Sequence, residues 1–139
     1  MLLGLGNDIV SVKRIKNSYQ KFGKRLENRI YTTAEIKLIW ERGSPCFRTL
    51  SSRWAAKEAF VKALGTGFRK GIVWKDISVL NNLNGKPELV IRGQAKVCLN
   101  SILPADTSPI IHISISDEKE IVNAIVIIEA RDCLLYTSP

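Results

Sequence analysis

Glu58 and Lys62 stand four residues apart in the stretch 53–67, RWAAKEAFVKALGTG. At helical spacing they line up on one strip, while Ala56, Phe60, Ala63 and Leu64 fall on the side a core would take. Lys57 flanks the acid, so Glu58 lies between two lysines. The segment then runs into Gly65-Thr66-Gly67, where glycines permit close backbone approach to a ligand. A carboxylate and ammonium groups beside such a turn suit a metal ion and a phosphate meeting in one place. The same residues also fit a surface helix with an ordinary i,i+4 Glu–Lys pair and a glycine C-cap. Taken alone, the segment leaves both readings open.

Two other features carry candidate chemistry. Gly4-x-Gly6-Asn7-Asp8 reads as a strand that ends on a carboxylate, or as an aspartate capping the next helix. His112-x-Ser114-x-Ser116 places three polar side chains on one face of a strand, with Ile111, Ile113 and Ile115 on the other. A lone strand histidine also fits a structural or solvated role. Taken together the features are more specific. Two carboxylates among bases make a poor pair for glycoside chemistry, which wants paired acids in a substrate cleft. They make a good set for holding one Mg²⁺ against phosphates, because this hard ion takes one or two protein carboxylates and lets substrate oxygens complete its shell. Lysines then offset the charge on a phosphoryl group in transfer.

The elements that must position these residues are legible from periodicity and punctuation. Leu2–Val10 reads as an apolar strand. Ser11 caps a helix running to about Tyr19, with Ile15 inward and Lys13, Arg14 and Lys16 at its start. Thr32-Thr33-Ala34-Glu35 reads as a capping box that opens a helix to Glu41, and 42–45 (RGSP) ends it. The 53–64 helix follows. A strand over 75–80, an Asn/Gly-rich turn over 81–87 and a returning strand over 88–91 form a hairpin. A helix over 94–103 stops at Pro104. Strands at 110–116 and 123–129 flank a charged turn. No regular βαβ alternation exists, so the expected fold is α+β, a mostly antiparallel sheet packed with helices.

At 139 residues, with 45% hydrophobic and 24% charged residues, the chain has the composition of one globular domain. No apolar run reaches the length of a membrane span, and the N-terminus lacks the pattern of a signal peptide, so the expected location is cytoplasmic. Three scattered cysteines without CxxC spacing, and a single histidine, argue against zinc and for reduced thiols. The net charge of +8 calls for an anionic partner: nucleic acid, a membrane surface, a phosphorylated small molecule or an acidic protein. No RNA-binding signature accompanies it. Residues 1–132 are expected to form the domain. The tail 133–139, CLLYTSP, matches a reading frame through a transposon-derived sequencing adapter and is expected to be non-native.

The combination GLGNDIV, RWAAKEAFVKALGTG, NGKPEL at 84–89 and HISIS at 112–116 resembles the holo-[acyl-carrier-protein] synthases, the bacterial single-domain 4′-phosphopantetheinyl transferases. The motifs appear in that family's order and spacing across residues 3–130. The resemblance implies Asp8 and Glu58 as ligands of Mg²⁺, and Lys62 as the lysine on the transferring phosphate. It implies Gly65 and Gly67 along bound coenzyme A, Lys86 and Pro87 in the turn beside the nucleotide, and His112 and Ser116 toward its 3′-phosphate end. Arg14 matches a basic residue that docks acyl carrier protein, with Lys13 and Arg53 as further candidates. It also implies a homotrimer with each site between neighbouring subunits. In two places the chain departs from the pattern: Asp117 follows Ser116 where many members have histidine, and Trp54 stands where Phe or Tyr is common.

The implied reaction moves the phosphopantetheine arm of coenzyme A to a carrier-protein serine, leaving adenosine 3′,5′-bisphosphate, for fatty acid biosynthesis. The serine proton would pass to Glu58 or to a metal-bound water. Two alternatives are a non-catalytic basic module for RNA or anionic lipid, and a transferase of the same fold serving polyketide or peptide synthases.

Overall fold

A computed structural model of the chain describes residues 1–133. Its elements follow the order β1 (Leu2–Ser11), α1 (Val12–Phe22), α2 (Lys24–Ile30), α3 (Thr33–Ile39), α4 (Phe47–Leu64), β2 (Ile77–Asn81), β3 (Pro87–Ile91), α5 (Gly93–Ser101), β4 (Thr107–Glu118) and β5 (Ile121–Asp132). The main sheet has the order β1-β5-β4, and β2-β3 forms a separate hairpin. Every pairing in both sheets is antiparallel, so the expected α+β class holds. No helix among the described residues is long and apolar enough to cross a membrane. The tail expected to be non-native lies outside the described residues except for Cys133.

The sheet has two unlike faces. Along β5, Val122, Ala124, Val126 and Ile128 are fully buried against α4, while Ile121 and Ile125 on the other face stay exposed. This is the period-two alternation of a strand with one covered face. On β1 the exposed partners are Leu5 and Ile9.

Helix α4 is the centre of the molecule. It spans 18 residues and starts at Phe47, one and a half turns before the expected Arg53. The stretch RTLSS looks unlike a helix because serine and threonine compete for backbone groups. Here that competition is satisfied within the helix: Ser51 Oγ donates to the Phe47 carbonyl at 2.7 Å, and Ser52 Oγ to Thr49 at 3.0 Å. Nor does α4 have a broad polar side. Beyond its first turn only Trp54, Glu58 and Lys62 escape burial.

Helix α2 was not expected, since the stretch 24–30 (KRLENRI) offers few apolar residues. Gly23, at φ 53°, ends α1 and lets the chain turn straight into α2. The capping box at Thr32 and Glu35 forms as expected. The strand expected over 75–80 instead begins at Ile77, behind a 3-10 turn at Trp74–Asp76.

Candidate active site

Two glycines bring the carboxylates together. A Cβ at Gly4 would lie 1.9 Å from the Ala63 carbonyl oxygen, and one at Gly6 would lie 1.8 Å from that of Ala59. Strand β1 therefore lies directly on the backbone of α4, which any side chain at these positions would prevent. Asp8 follows on the same face of β1, opposite Ala124. It meets the strip of α4 that carries Glu58 and Lys62. Lys62 Nζ reaches Asp8 Oδ1 at 3.0 Å and also donates to the Asn7 carbonyl at 3.0 Å.

Glu58 is half-buried and titrates above the ordinary glutamate value. Desolvation is the main cause and the charge of Asp8 the next; Lys62 and Arg14 pull the other way. The four side chains thus share one electrostatic neighbourhood. Its two carboxylates repel each other and only one has a direct cationic partner. A divalent cation would relieve that repulsion. Among the described residues no group of three or more His, Cys, Asp or Glu forms a metal cage. Two carboxylates with a lysine are what a substrate-completed Mg²⁺ site needs, so the donor set fits.

Past α4 the chain turns through Gly65 at φ 81° and Gly67 at φ 62°. Gly65 caps the helix by donating to the Lys62 carbonyl at 3.0 Å, and a side chain at either glycine would strain the backbone. The loop starts one turn beyond Lys62.

Lys86, Pro87 and His112 line one cleft of about 430 Å³ between the β2–β3 turn and β4. His112 Nε2 sits 2.9 Å from Glu129 Oε1. His112 and Ser116 are exposed, and both point to the open face of the sheet, away from α4. One chain therefore does not bring them to Asp8 and Glu58.

Two other placements differ from expectation, while Lys13 and Arg14 stand on α1 as expected. Lys57 belongs to the core, not the site. It is fully buried, pairs with Glu35 Oε1 at 2.6 Å and donates to the carbonyls of Ile30 and Trp74. Glu35 in turn accepts from the Val79 amide at 2.8 Å, so the pair ties α2, α3, α4 and β2 together. Arg53 is also off the docking surface: it is 7% exposed, and its guanidinium donates to Ser52 Oγ and Asn81 Oδ1. Lys13 and Arg14 are exposed on α1.

Sequence reasoning missed a basic pocket. Arg48, Arg53 and Pro87 line a cavity of about 260 Å³ beside the Lys86–His112 cleft. The signal was Thr49 and Arg53 at i,i+4, hidden because the helix was expected to start at Arg53.

The comparisons with known proteins define the class of this protein, a transferase. The model of the 4′-phosphopantetheinyl transferase superfamily matches residues 4–113. The chain therefore belongs to that superfamily and is an enzyme of the phosphopantetheinyl transferase kind. It is 43% identical over 131 residues to a holo-[acyl-carrier-protein] synthase of Erythrobacter litoralis, covering 94% of this chain and 98% of that one. It is 42% identical to the synthase of a Ruegeria species over 134 residues, 96% of this chain and 94% of the relative. Among solved structures, the holo-[acyl-carrier-protein] synthase of Neisseria meningitidis superposes with a TM-score of 0.81 at 37% identity, over 93% of this chain and 99% of its own. The Bacillus anthracis synthase, solved in complex with CoA (3′,5′-ADP), gives 0.75 at 33% identity, over 94% and 99%.

Proposed function

We propose that the chain transfers 4′-phosphopantetheine from coenzyme A to a serine of apo-acyl carrier protein for fatty acid biosynthesis. The observation that carries this reading is the convergence of Asp8, Glu58 and Lys62 where Gly4 and Gly6 seat β1 on α4.

Asp8 and Glu58 would hold Mg²⁺, which when bound neutralises the pyrophosphate and makes its phosphorus more electrophilic. The serine oxygen forms a bond to the β-phosphorus, and the bond to the bridging oxygen breaks, releasing adenosine 3′,5′-bisphosphate. The hydroxyl proton goes to Glu58 or to a water beside it, since Glu58 is the half-buried carboxylate next to Lys62 on the exposed strip of α4. Lys62 exchanges Asp8 for the phosphate oxygens and offsets the charge that develops there. Gly65 and Gly67 leave room for coenzyme A beside the backbone. Lys86, Pro87, His112 and Ser116 receive its nucleotide end, with Arg48 and Arg53 in the adjoining pocket.

The site is divided between subunits of a homotrimer on this reading. Its support is the sheet's open face, where Leu5, Ile9, Ile121 and Ile125 are exposed around His112 and Ser116. Carrier protein docks on α1 through Lys13 and Arg14. The surface continues into a groove lined by Phe22, Arg25, Arg29 and Trp54, and Trp54 lies one turn along the strip from Glu58.

Intact-mass spectrometry of apo-acyl carrier protein with this chain, coenzyme A and Mg²⁺ tests the reading. The carrier is expected to gain one phosphopantetheine, and EDTA to prevent it. No gain with native carrier protein, at saturating coenzyme A and Mg²⁺, refutes the reading.

A further inference from the structure

The pocket between α4 and the β2–β3 hairpin contains a nucleophile that transfer does not use. Cys46 is the N-cap of α4 and is exposed at the pocket's rim. Arg53, two turns further along the same side of α4, lines the pocket as well and is more than nine-tenths buried. Both hydrogen-bond partners of its guanidinium are neutral, and its Nε has none. The charge of Glu35 also reaches Arg53, but that carboxylate is already paired with Lys57, so one positive charge remains for an anion. Arg48 lines the same pocket, held by Asp117 at 2.6 Å and by the Lys119 carbonyl at 2.6 Å. The pocket thus pairs an anion-seeking wall with a sulfur at its mouth.

We propose that Cys46 is a site of reversible thiol–disulfide exchange with anionic low-molecular-weight disulfides, and that the mixed disulfide occludes the pocket. In this step the Cys46 thiolate attacks one sulfur of the disulfide. A bond forms between Cys46 Sγ and that sulfur, the original S–S bond breaks, and the departing thiolate takes up the proton that Cys46 lost. No other oxidant is consumed, and a free thiol reverses the exchange.

The environment favours the thiolate. Burial pushes the Cys46 pKa up, but the Thr49 hydroxyl, the amides of Thr49 and Arg48, and the charge of Arg42 together bring it below the usual value. The N-terminus of the 18-residue helix acts in the same direction. Of the other described cysteines, Cys98 is buried and Cys133 only partly accessible. Carboxylates or phosphates on the incoming disulfide would be drawn to Arg53 and Arg48, and Asp117 is the one acid lining the pocket. The predicted loss of coenzyme A affinity rests on the placement of its nucleotide end proposed above; the modification itself does not.

The experiment incubates the whole protein at low salt with glutathione disulfide, with coenzyme A disulfide and with cationic cystamine, then maps adducts by peptide mass. Cys46 is expected to react at least about tenfold faster than Cys98 or Cys133, and faster with both anionic probes than with cystamine. Comparing the two anionic probes shows whether carboxylates or phosphates are preferred. The glutathionylated protein should bind coenzyme A more weakly, dithiothreitol should restore binding, and Cys46→Ser should be insensitive to the disulfide. Adducts chiefly at Cys98 or Cys133, or equal rates with cystamine, would overturn the site. Unchanged coenzyme A binding in the Cys46 adduct would overturn the occlusion. Failure of the unmodified protein to bind coenzyme A would count against the proposed function, while the adduct map would still decide the exchange site.

Discussion

Replacing Gly6 with alanine tests whether close contact between β1 and α4 sets the site. The new methyl would start 1.8 Å from the Ala59 carbonyl oxygen and 2.7 Å from the Ala63 nitrogen. Carbon–oxygen contacts of this kind settle no closer than about 3.3 Å, so strand and helix must part by roughly 1.5 Å. The obstruction is backbone, so no side chain can move aside to absorb it. Overpacking of this sort costs about 1–3 kcal/mol of stability. Asp8 lies two residues along the strand and Glu58 is the neighbour of Ala59, so the displacement falls directly between them. It would break the 3.0 Å contact of Lys62 with Asp8. A misplacement near 1 Å in a catalytic set costs about a hundredfold in rate. The assay is phosphopantetheine transfer by intact mass at a temperature where circular dichroism shows the variant folded, with Mg²⁺ titrated. Turnover should fall by about that factor, the half-saturating Mg²⁺ should rise, and thermal denaturation should begin earlier. Wild-type turnover together with wild-type Tm would refute the reasoning.

Glu58→Gln should abolish most transfer while leaving Tm equal to or above the wild type. The folded state raises the pKa of Glu58, so this group contributes stability at low pH that is lost as pH rises through its folded value, and at neutral pH the charge is a burden. In the wild type without Mg²⁺, the Glu58 carboxyl should titrate with a midpoint above that of an ordinary glutamate, read by carboxyl NMR, and Mg²⁺ should bring that midpoint down. Lys57→Met should cost about 3–5 kcal/mol in urea denaturation by stranding the Glu35 carboxylate, and adding Glu35→Gln should recover part of it. Arg14→Ala should raise KM for carrier protein more than KM for coenzyme A in steady-state transfer assays. Mixing Glu58→Gln with His112→Ala chains, each poorly active alone, should restore transfer after subunit exchange; no restoration would oppose a site divided between subunits.

The strands and the capping box were legible because their signals are local. Alternation over 110–116 and Thr32 three residues before Glu35 each need only their own segment. Asp8, Glu58 and Lys62 stood out only as a joint pattern, since each segment alone also fits an ordinary i,i+4 pair or a capping aspartate; the structure brings Lys62 to Asp8. The first turn and a half of α4 was not, because hydroxyls at Thr49, Ser51 and Ser52 mimic a loop until Leu50 is buried in the core. The fates of Lys57 and Arg53 were also hidden. Each lies among charges in the sequence, and only the arrival of α3 and of the β2–β3 hairpin decides that both are enclosed. The glycines at 4 and 6 read only as part of a strand ending on Asp8. Their task proved to be admitting a helix.

Lys57 and Glu58 are consecutive on α4 and have opposite status. Lys57 is fully enclosed, yet its ammonium has a carboxylate and two carbonyls around it. Its charge is compensated within the chain, and its loss is expected to show as instability. Glu58 is only half-buried, yet it faces a second carboxylate and relies on Lys62 and Arg14 for partial relief. Its charge is left under-compensated by the fold, and its loss is expected to show as inactivity. A folded chain tolerates that imbalance when a ligand supplies the missing counter-charge. Because α4 is buried on every other side past its first turn, the imbalance cannot relax by moving the helix. On the proposed reading, the rigidity that keeps Glu58 close to Asp8 is therefore also what would keep both positioned for a cation and its phosphate.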